Sequence, residues 1–150
     1  MVSSLLLMAA VLLLDRLTKA LAMRLTAPAP LVPGVLQLHL AYNTGAAFSL
    51  LSHHPWLTQL LSTLLLVCGG FCLWRLHLGR LPKIGALLIL SGGLSNWLDR
   101  LLWGYVVDMI ELTLIPFPIF NVADMAIVCG TALLLFSLLF RPNDWSNTHV

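Results

Sequence analysis

Six carboxylic acids stand among only 14 charged residues in a chain of 150: Asp15, Asp99, Asp108, Glu111, Asp124 and Asp144. Two of them could do chemistry together. Asp108 lies in the apolar, β-branched stretch Gly-Tyr-Val-Val-Asp-Met-Ile-Glu, and Asp124 closes Phe-Asn-Val-Ala-Asp where a long apolar run begins. An aspartate in the first turn of a helix faces the positive end of the dipole, whereas one in apolar extended chain is desolvated. Carboxyls in such unlike surroundings form an acid/base pair. When they share one proton, the ionised member takes a proton from water and the protonated member donates to an amide carbonyl oxygen, so that the amide is hydrolysed. The pair titrates jointly. By themselves, two aspartates in a membrane serve equally well as an ion- or proton-translocation site.

Other chemistries have little to stand on. Neither H-E-x-x-H nor G-x-S-x-G occurs. The five histidines are scattered, with His53 and His54 before an apolar run, His77 in a basic loop and His149 near the end. No metal set and no cofactor are expected. Cys68 and Cys72 lie one turn apart in an apolar run, and Cys129 is in another; all three read as packing residues.

The polar residues around the two aspartates follow helical spacing. Asn96, Asp99 and Arg100 form one polar face, and Asn121 and Asp124 another. Asp15 and Lys19 are four apart and so share a face, which reads first as a structural ion pair fixing helix packing.

What must position these groups is a bundle in lipid. Of the 150 residues 59% are hydrophobic and 9% charged, with a mean hydropathy of +0.94 and a net charge of +2. An ordinary soluble domain is about 25% charged, so disorder and nucleic-acid binding are excluded and an integral membrane protein is indicated. Four segments approach the ~20 apolar residues that cross a bilayer: about 3–25, 56–74, 84–103 and 120–140. They make one integral membrane domain, 1–150. The first is expected to be a retained helix, since no basic residue precedes its apolar stretch and a charged cluster follows it. Trp56, Trp74 and Trp103 mark span ends.

Arg75, Arg80 and Lys83 fall in the loop 75–83 and Arg141 follows the fourth span, while the loops 26–55 and 104–119 have no Lys or Arg. The positive-inside rule then puts both termini in the cytoplasm and the two long loops outside, with Arg24 the one count against. Pro28, Pro30, Pro33 and Gly34 break any helix, and Val35 to Tyr42 alternates like a half-buried strand, so a small outer β-sheet is expected. Asp124 then lies about five residues into its helix, ~7 Å deep at 1.5 Å per residue, and Asp108 can fold back over it.

Five blocks, in order, make the chain resemble the lipoprotein signal peptidase (type II signal peptidase) family. They are Asp15-Arg-Leu-Thr-Lys19, Tyr42-Asn-Thr-Gly-Ala-Ala-Phe48, Asn96-Trp-Leu-Asp-Arg100, Gly104-Tyr-Val-Val-Asp108 and Phe120-Asn-Val-Ala-Asp124. The Tyr42 to Phe48 block alone would pass for a turn with an apolar anchor. The resemblance implies an intramembrane aspartic endopeptidase of the bacterial inner membrane. It would act on diacylglyceryl-modified prolipoproteins, cutting just before the lipidated cysteine at the extracytoplasmic face, and would be inhibited by globomycin. It implies Asp108 and Asp124 as the catalytic pair and Asn43, Gly45, Asn96, Arg100 and Asn121 as substrate-binding residues. Asp15, Lys19 and Asp99 are given supporting roles. The chain departs from the family's glycine-rich lead, often Gly-Gly-Ala-Leu-Gly-Asn, in having Ser91 and Ser95, so looser backbone approach is expected there. The stretch between Asp108 and Asp124 also looks short, implying a small substrate cover. The rival readings are an ion-coupled transporter and a non-catalytic assembly factor. Against the transporter, no paired half-helices broken by Gly or Pro are evident near the bilayer midplane.

Overall fold

The structure, a computed structural model, describes residues 2–45 and 54–145. Phe48 and His53 lie outside the described residues. Four long helices carry the chain: α1 (Val2–Ala22), α2 (Pro55–Arg75), α3 (Arg80–Trp103) and α4 (Val122–Phe140). Three antiparallel strands, β1 (Ala29–Val32), β2 (Leu36–Asn43) and β3 (Val106–Leu112), form one sheet in that order. A 3-10 turn, Pro142–Trp145, follows α4.

Helix α3 is central, packing on α1, α2 and α4. The bundle is polar inside and apolar outside. Asp15, Lys19, Ser95, Asn96, Asp99 and Asn121 are buried, while Leu13, Leu17, Leu65, Val67, Phe71, Val128 and Leu139 are exposed. Apolar side chains turned outward over whole helices need a non-aqueous surround. Both α2 and α4 are long and apolar enough to cross a membrane. In α1 and α3 the apolar run is interrupted by charges that point inward.

The element boundaries depart from the sequence reading where local chemistry decides them. Helix α1 stops at Ala22, not near residue 25. Helix α3 starts at Arg80, so the expected 75–83 loop shrinks to residues 76–79. Pro82 does not prevent this, because the first-turn N–H it lacks has no helical partner in any case. Helix α4 begins at Val122 with Asn121 as its N-cap, and Phe120 instead pairs with Ile110 across an isolated bridge. The expected small sheet is present, with three strands. The proline-rich segment supplies the edge strand β1, where Pro30 is tolerated, and the second outer loop supplies β3.

Gly104, at φ +78°, ends α3 in the left-handed conformation and turns the chain directly into β3. Its N–H donates to the Arg100 carbonyl at 3.0 Å. Asp108 therefore sits above the end of the helix that carries Asn96 and Arg100.

The α3–α4 seam depends on small residues. A Cβ on Gly85 would lie 2.8 Å from the Gly130 carbonyl oxygen, and one on Gly130 would lie 2.5 Å from that of Gly85. A Cβ on Gly92 would collide with the Ala123 carbonyl oxygen. Gly92, not the neighbouring serines, makes the close approach, so Ser91 and Ser95 do not loosen it. Gly92→Ala is expected to cost about 1–3 kcal/mol by overpacking, read as a lowered Tm in thermal denaturation of the detergent-solubilised protein. Gly70→Ala, where the new Cβ meets nothing within 4 Å, is the matched control and should lose nothing.

Candidate active site

The site forms where β3, the end of α3 and the start of α4 meet. The carboxylate of Asp108, on β3, accepts from Asn43 Nδ2 at 3.0 Å and from Asn121 Nδ2 at 2.6 Å. Asn43 comes from the neighbouring strand β2, in a register that opposes Ala41 to Asp108. The carboxylate of Asp124 accepts from Asn96 Nδ2 at 2.8 Å and from the Asn121 backbone N–H at 3.1 Å. In return the Asn121 side-chain oxygen accepts from the Asp124 N–H at 2.9 Å, closing a capping box. Asn121 thus holds both aspartates, one through its side chain and one through its backbone.

Burial and the nearby Asp124 carboxylate push the Asp108 carboxyl up to about 6, against the lowering effect of its two amide donors and Lys19. Glu111 has turned elsewhere: it accepts from Gln37 Nε2 at 2.6 Å and pairs with His39 Nδ1 at 2.7 Å. Those hydrogen bonds hold it below the usual carboxylate range.

Behind the asparagines lies a buried charge cluster. Lys19 Nζ is 2.7 Å from Asp15 Oδ2 and 2.7 Å from Asp99 Oδ2, and Arg16 pairs with Asp99. Two acids and two bases make it neutral. It reaches the site at two points. Lys19 donates to Asn96 Oδ1 at 2.9 Å, and Asp15 Oδ1 accepts from the Ala123 N–H at 2.9 Å in the first turn of α4. The Ser95 hydroxyl donates to Asp15 Oδ2 at 2.6 Å, so one of the two departures from the glycine-rich lead is occupied in charge solvation. The Arg16 guanidinium also lies over the Trp103 ring, 5.5 Å from its centroid.

Asn96, Asp99 and Arg100 share one side of α3 but take different partners. Asp99 points at α1, and Asn96 bridges Lys19 to Asp124. Arg100 reaches across to the Gly45 carbonyl, its NH2 nitrogen 2.8 Å away. Gly45 is buried, its N–H donating to Asn43 Oδ1 at 2.9 Å, so that Arg100 and Asn43 together hold the backbone at Gly45. The capping box and the role of Ser95 were absent from the sequence reading. The first had a signal, Asn-x-x-Asp before an apolar run.

A cavity of about 830 Å³ opens beside the aspartates. Its polar end holds Asn43, Asn96, Arg100, Asp108 and Asp124. From there it runs between α2 and α4 over Gly93, walled by apolar residues such as Leu65 and Val128.

The whole chain superimposes on a solved bacterial membrane enzyme, determined by the in meso method at 2.3 Å, with a TM-score of 0.85 over 95% of that chain at 24% identity. A second such enzyme structure, at 1.9 Å, gives 0.82 over 94% of this chain and 95% of that one, at 26% identity. The fold is that of a bacterial membrane enzyme. Residues 7–140 match the family model described as signal peptidase (SPase) II. The lipoprotein signal peptidase of Lactiplantibacillus plantarum is 40% identical over 138 residues, covering 90% of this chain and 93% of the relative. That of Streptococcus pyogenes serotype M1 is 38% identical over 122 residues, 79% of this chain and 78% of the relative. The chain belongs to the signal peptidase II family, and is thereby a bacterial membrane protease.

Removing one partner of a buried ion pair leaves an uncompensated charge, at a cost of about 3–5 kcal/mol. Lys19→Met is therefore expected to destabilise the protein by that order, measured by thermal denaturation in detergent. Arg24→Met, at an exposed position, should leave Tm unchanged.

Proposed function

We propose that this protein is an aspartic endopeptidase that removes the signal peptide of diacylglyceryl-modified prolipoproteins, cutting just before the lipidated cysteine. The observation that carries the reading is the contact of Asn121 with both Asp108 and Asp124, which brings two carboxyls together at the polar end of an otherwise apolar cavity. All four helices span the bacterial inner membrane in this reading. Arg75, Arg80, Lys83 and Arg141 then mark the cytoplasmic end together with both termini. The sheet and the aspartates lie at the extracytoplasmic end. A signal peptide is itself an apolar helix with its lipidated cysteine at the membrane surface, and the cavity has that polarity: apolar along the helices, polar at the aspartates.

The ionised aspartate removes a proton from a water whose oxygen adds to the scissile carbonyl carbon. The other aspartate protonates the carbonyl oxygen, giving a gem-diol. Proton transfer to the amide nitrogen then breaks the C–N bond, freeing the amino group of the lipidated cysteine and the carboxylate of the signal peptide. Each aspartate oxygen receives a single amide hydrogen bond, which orients the carboxylate yet leaves a lone pair for water or substrate. Amides do not titrate in this range, so Asn43, Asn96 and Asn121 hold the geometry through the proton transfers. Arg100 lines the cavity and binds the peptide backbone, Gly45 positions it by accepting from its guanidinium, and Asp15, Lys19 and Asp99 support the constellation from behind. Globomycin is expected to compete for the same cavity.

Asp108→Asn and Asp124→Asn are each expected to abolish cleavage of a lipid-modified prolipoprotein in a gel-shift assay while Tm stays within a few degrees of wild type. Full activity in either variant would refute the reading. A pair that shares one proton loses it as pH rises through the higher of its two apparent pKa values. With Asp108 at about 6, kcat/KM should fall on the alkaline side with an apparent pKa at or above about 6. A rate that climbs steadily through pH 9 would count against a carboxyl acid.

A further inference from the structure

Four hydroxyls on the helices are buried among the described residues: Thr58, Ser91, Ser95 and Ser137. Ser91 donates to the Leu87 carbonyl at 2.5 Å and Ser95 to Asp15 at 2.6 Å. Ser137 accepts from the Trp145 indole N–H at 3.1 Å. Thr58 Oγ1, on a residue only 3% exposed, has no hydrogen-bond partner among the described residues. The helix itself does not explain this. One turn further on, Ser62 donates to the Thr58 carbonyl and Thr63 to that of Gln59, both at 2.8 Å. The equivalent acceptor for Thr58 would be the His54 carbonyl, which already takes the Leu57 and Thr58 N–H groups at 2.9 and 3.3 Å.

Buried polar groups in native proteins are nearly always paired, and one left unpaired is costly. Thr58 stands on the α2 wall of the cavity that holds Asp108 and Asp124. Arg100, in the same cavity, is also incomplete: its Nε lacks a partner while its NH1 and NH2 nitrogens are engaged with Asn96 and Gly45. Gln59, beside Thr58, has an unpaired amide as well but does not line the cavity. Guanidinium Nε can only donate, so a group that completes this end of the cavity brings acceptor oxygens. In a lipid-modified prolipoprotein those oxygens are carbonyls, in the peptide backbone beside the cut or in the esters of the diacylglyceryl group.

We infer that Thr58 is a substrate-contacting residue whose hydroxyl donates a hydrogen bond to a carbonyl oxygen of the lipid-modified cysteine segment. This rests on the peptidase reading and assigns to α2 a polar contact that the carboxyl and asparagine set does not supply. Thr58→Val removes the hydroxyl at nearly constant shape, and Thr58→Ser keeps it. With the full chain in detergent and a diacylglyceryl-modified prolipoprotein as substrate, Thr58→Val should raise KM about tenfold with kcat within about twofold of wild type, and Thr58→Ser should restore KM. Since no hydrogen bond is lost in the free enzyme, the Tm of Thr58→Val without substrate should equal or exceed that of wild type. A structural role predicts the reverse.

A dialkyl-ether analogue of the substrate separates the two sources of the carbonyl. If the tenfold penalty persists with the ether, the backbone is the partner; if it vanishes, the ester is. An unchanged KM in Thr58→Val, or a raised KM accompanied by a lowered Tm, overturns the assignment. A wild-type protein that cuts no lipid-modified prolipoprotein overturns the underlying peptidase reading, a failure visible in the wild-type lane alone.

Discussion

Two acids and a lysine with almost no access to solvent, joined by a half-buried arginine, need one another, and the rest of the molecule is arranged around that need. Asp15 and Lys19 on α1 meet Asp99 on α3 while Arg16 closes the set, so that the bundle interior carries no net charge. Separating α1 from α3 would leave the buried Asp99 without either of its cations, which ties the relative placement of the two helices to this cluster. The cluster also sets the site. Its lysine orients Asn96, its aspartate holds the first turn of α4, and α4 carries Asp124. The electrostatics that pack the bundle therefore also place the carboxyl.

The sheet supplies the second half of the site by different means. Gly104 ends α3 in a left-handed turn and β3 follows at once, so Asp108 stands above the helix end without a long connection. β2 then brings Asn43, and Arg100 ties down Gly45. The glycines of the α3–α4 seam bring backbone against backbone, which leaves the space between α2 and α4 as the apolar route to the aspartates.

Much of this was legible in the sequence because it rests on periodicity and on the cost of charge. The apolar runs gave the helices, the Asp15/Lys19 spacing gave an ion pair, and the alternation around Gln37 and His39 gave a strand. What escaped was set by tertiary partners. Nothing local shows that Asp99 turns to α1 while Arg100, the next residue, turns to Gly45. Ser95 read as a bulkier glycine, because its value lies in a carboxylate 80 residues away. The start of α3 lies before the apolar run because its first turn carries Arg80 and Lys83, charges that read as loop although a helix end accepts them, and accepts Pro82 as well. The capping box at Asn121 was local and readable; the apolar run beginning at Phe120 obscured it.

The pairing of Asp15 with Lys19 inside one helix bears on how the chain is built. In the proposed membrane arrangement α1 reaches the bilayer before Asp99 is made, and three ionisable groups within one span resist insertion. Because the two residues are one helical turn apart and lie 2.7 Å from each other, they cancel within α1 itself, leaving only Arg16 to wait for its partner on α3. Assembly can thus proceed in chain order. In that arrangement α1 carries one unmet positive charge, on Arg16, until the third helix arrives, and the proposed carboxyl pair is complete only once β3 and α4 follow.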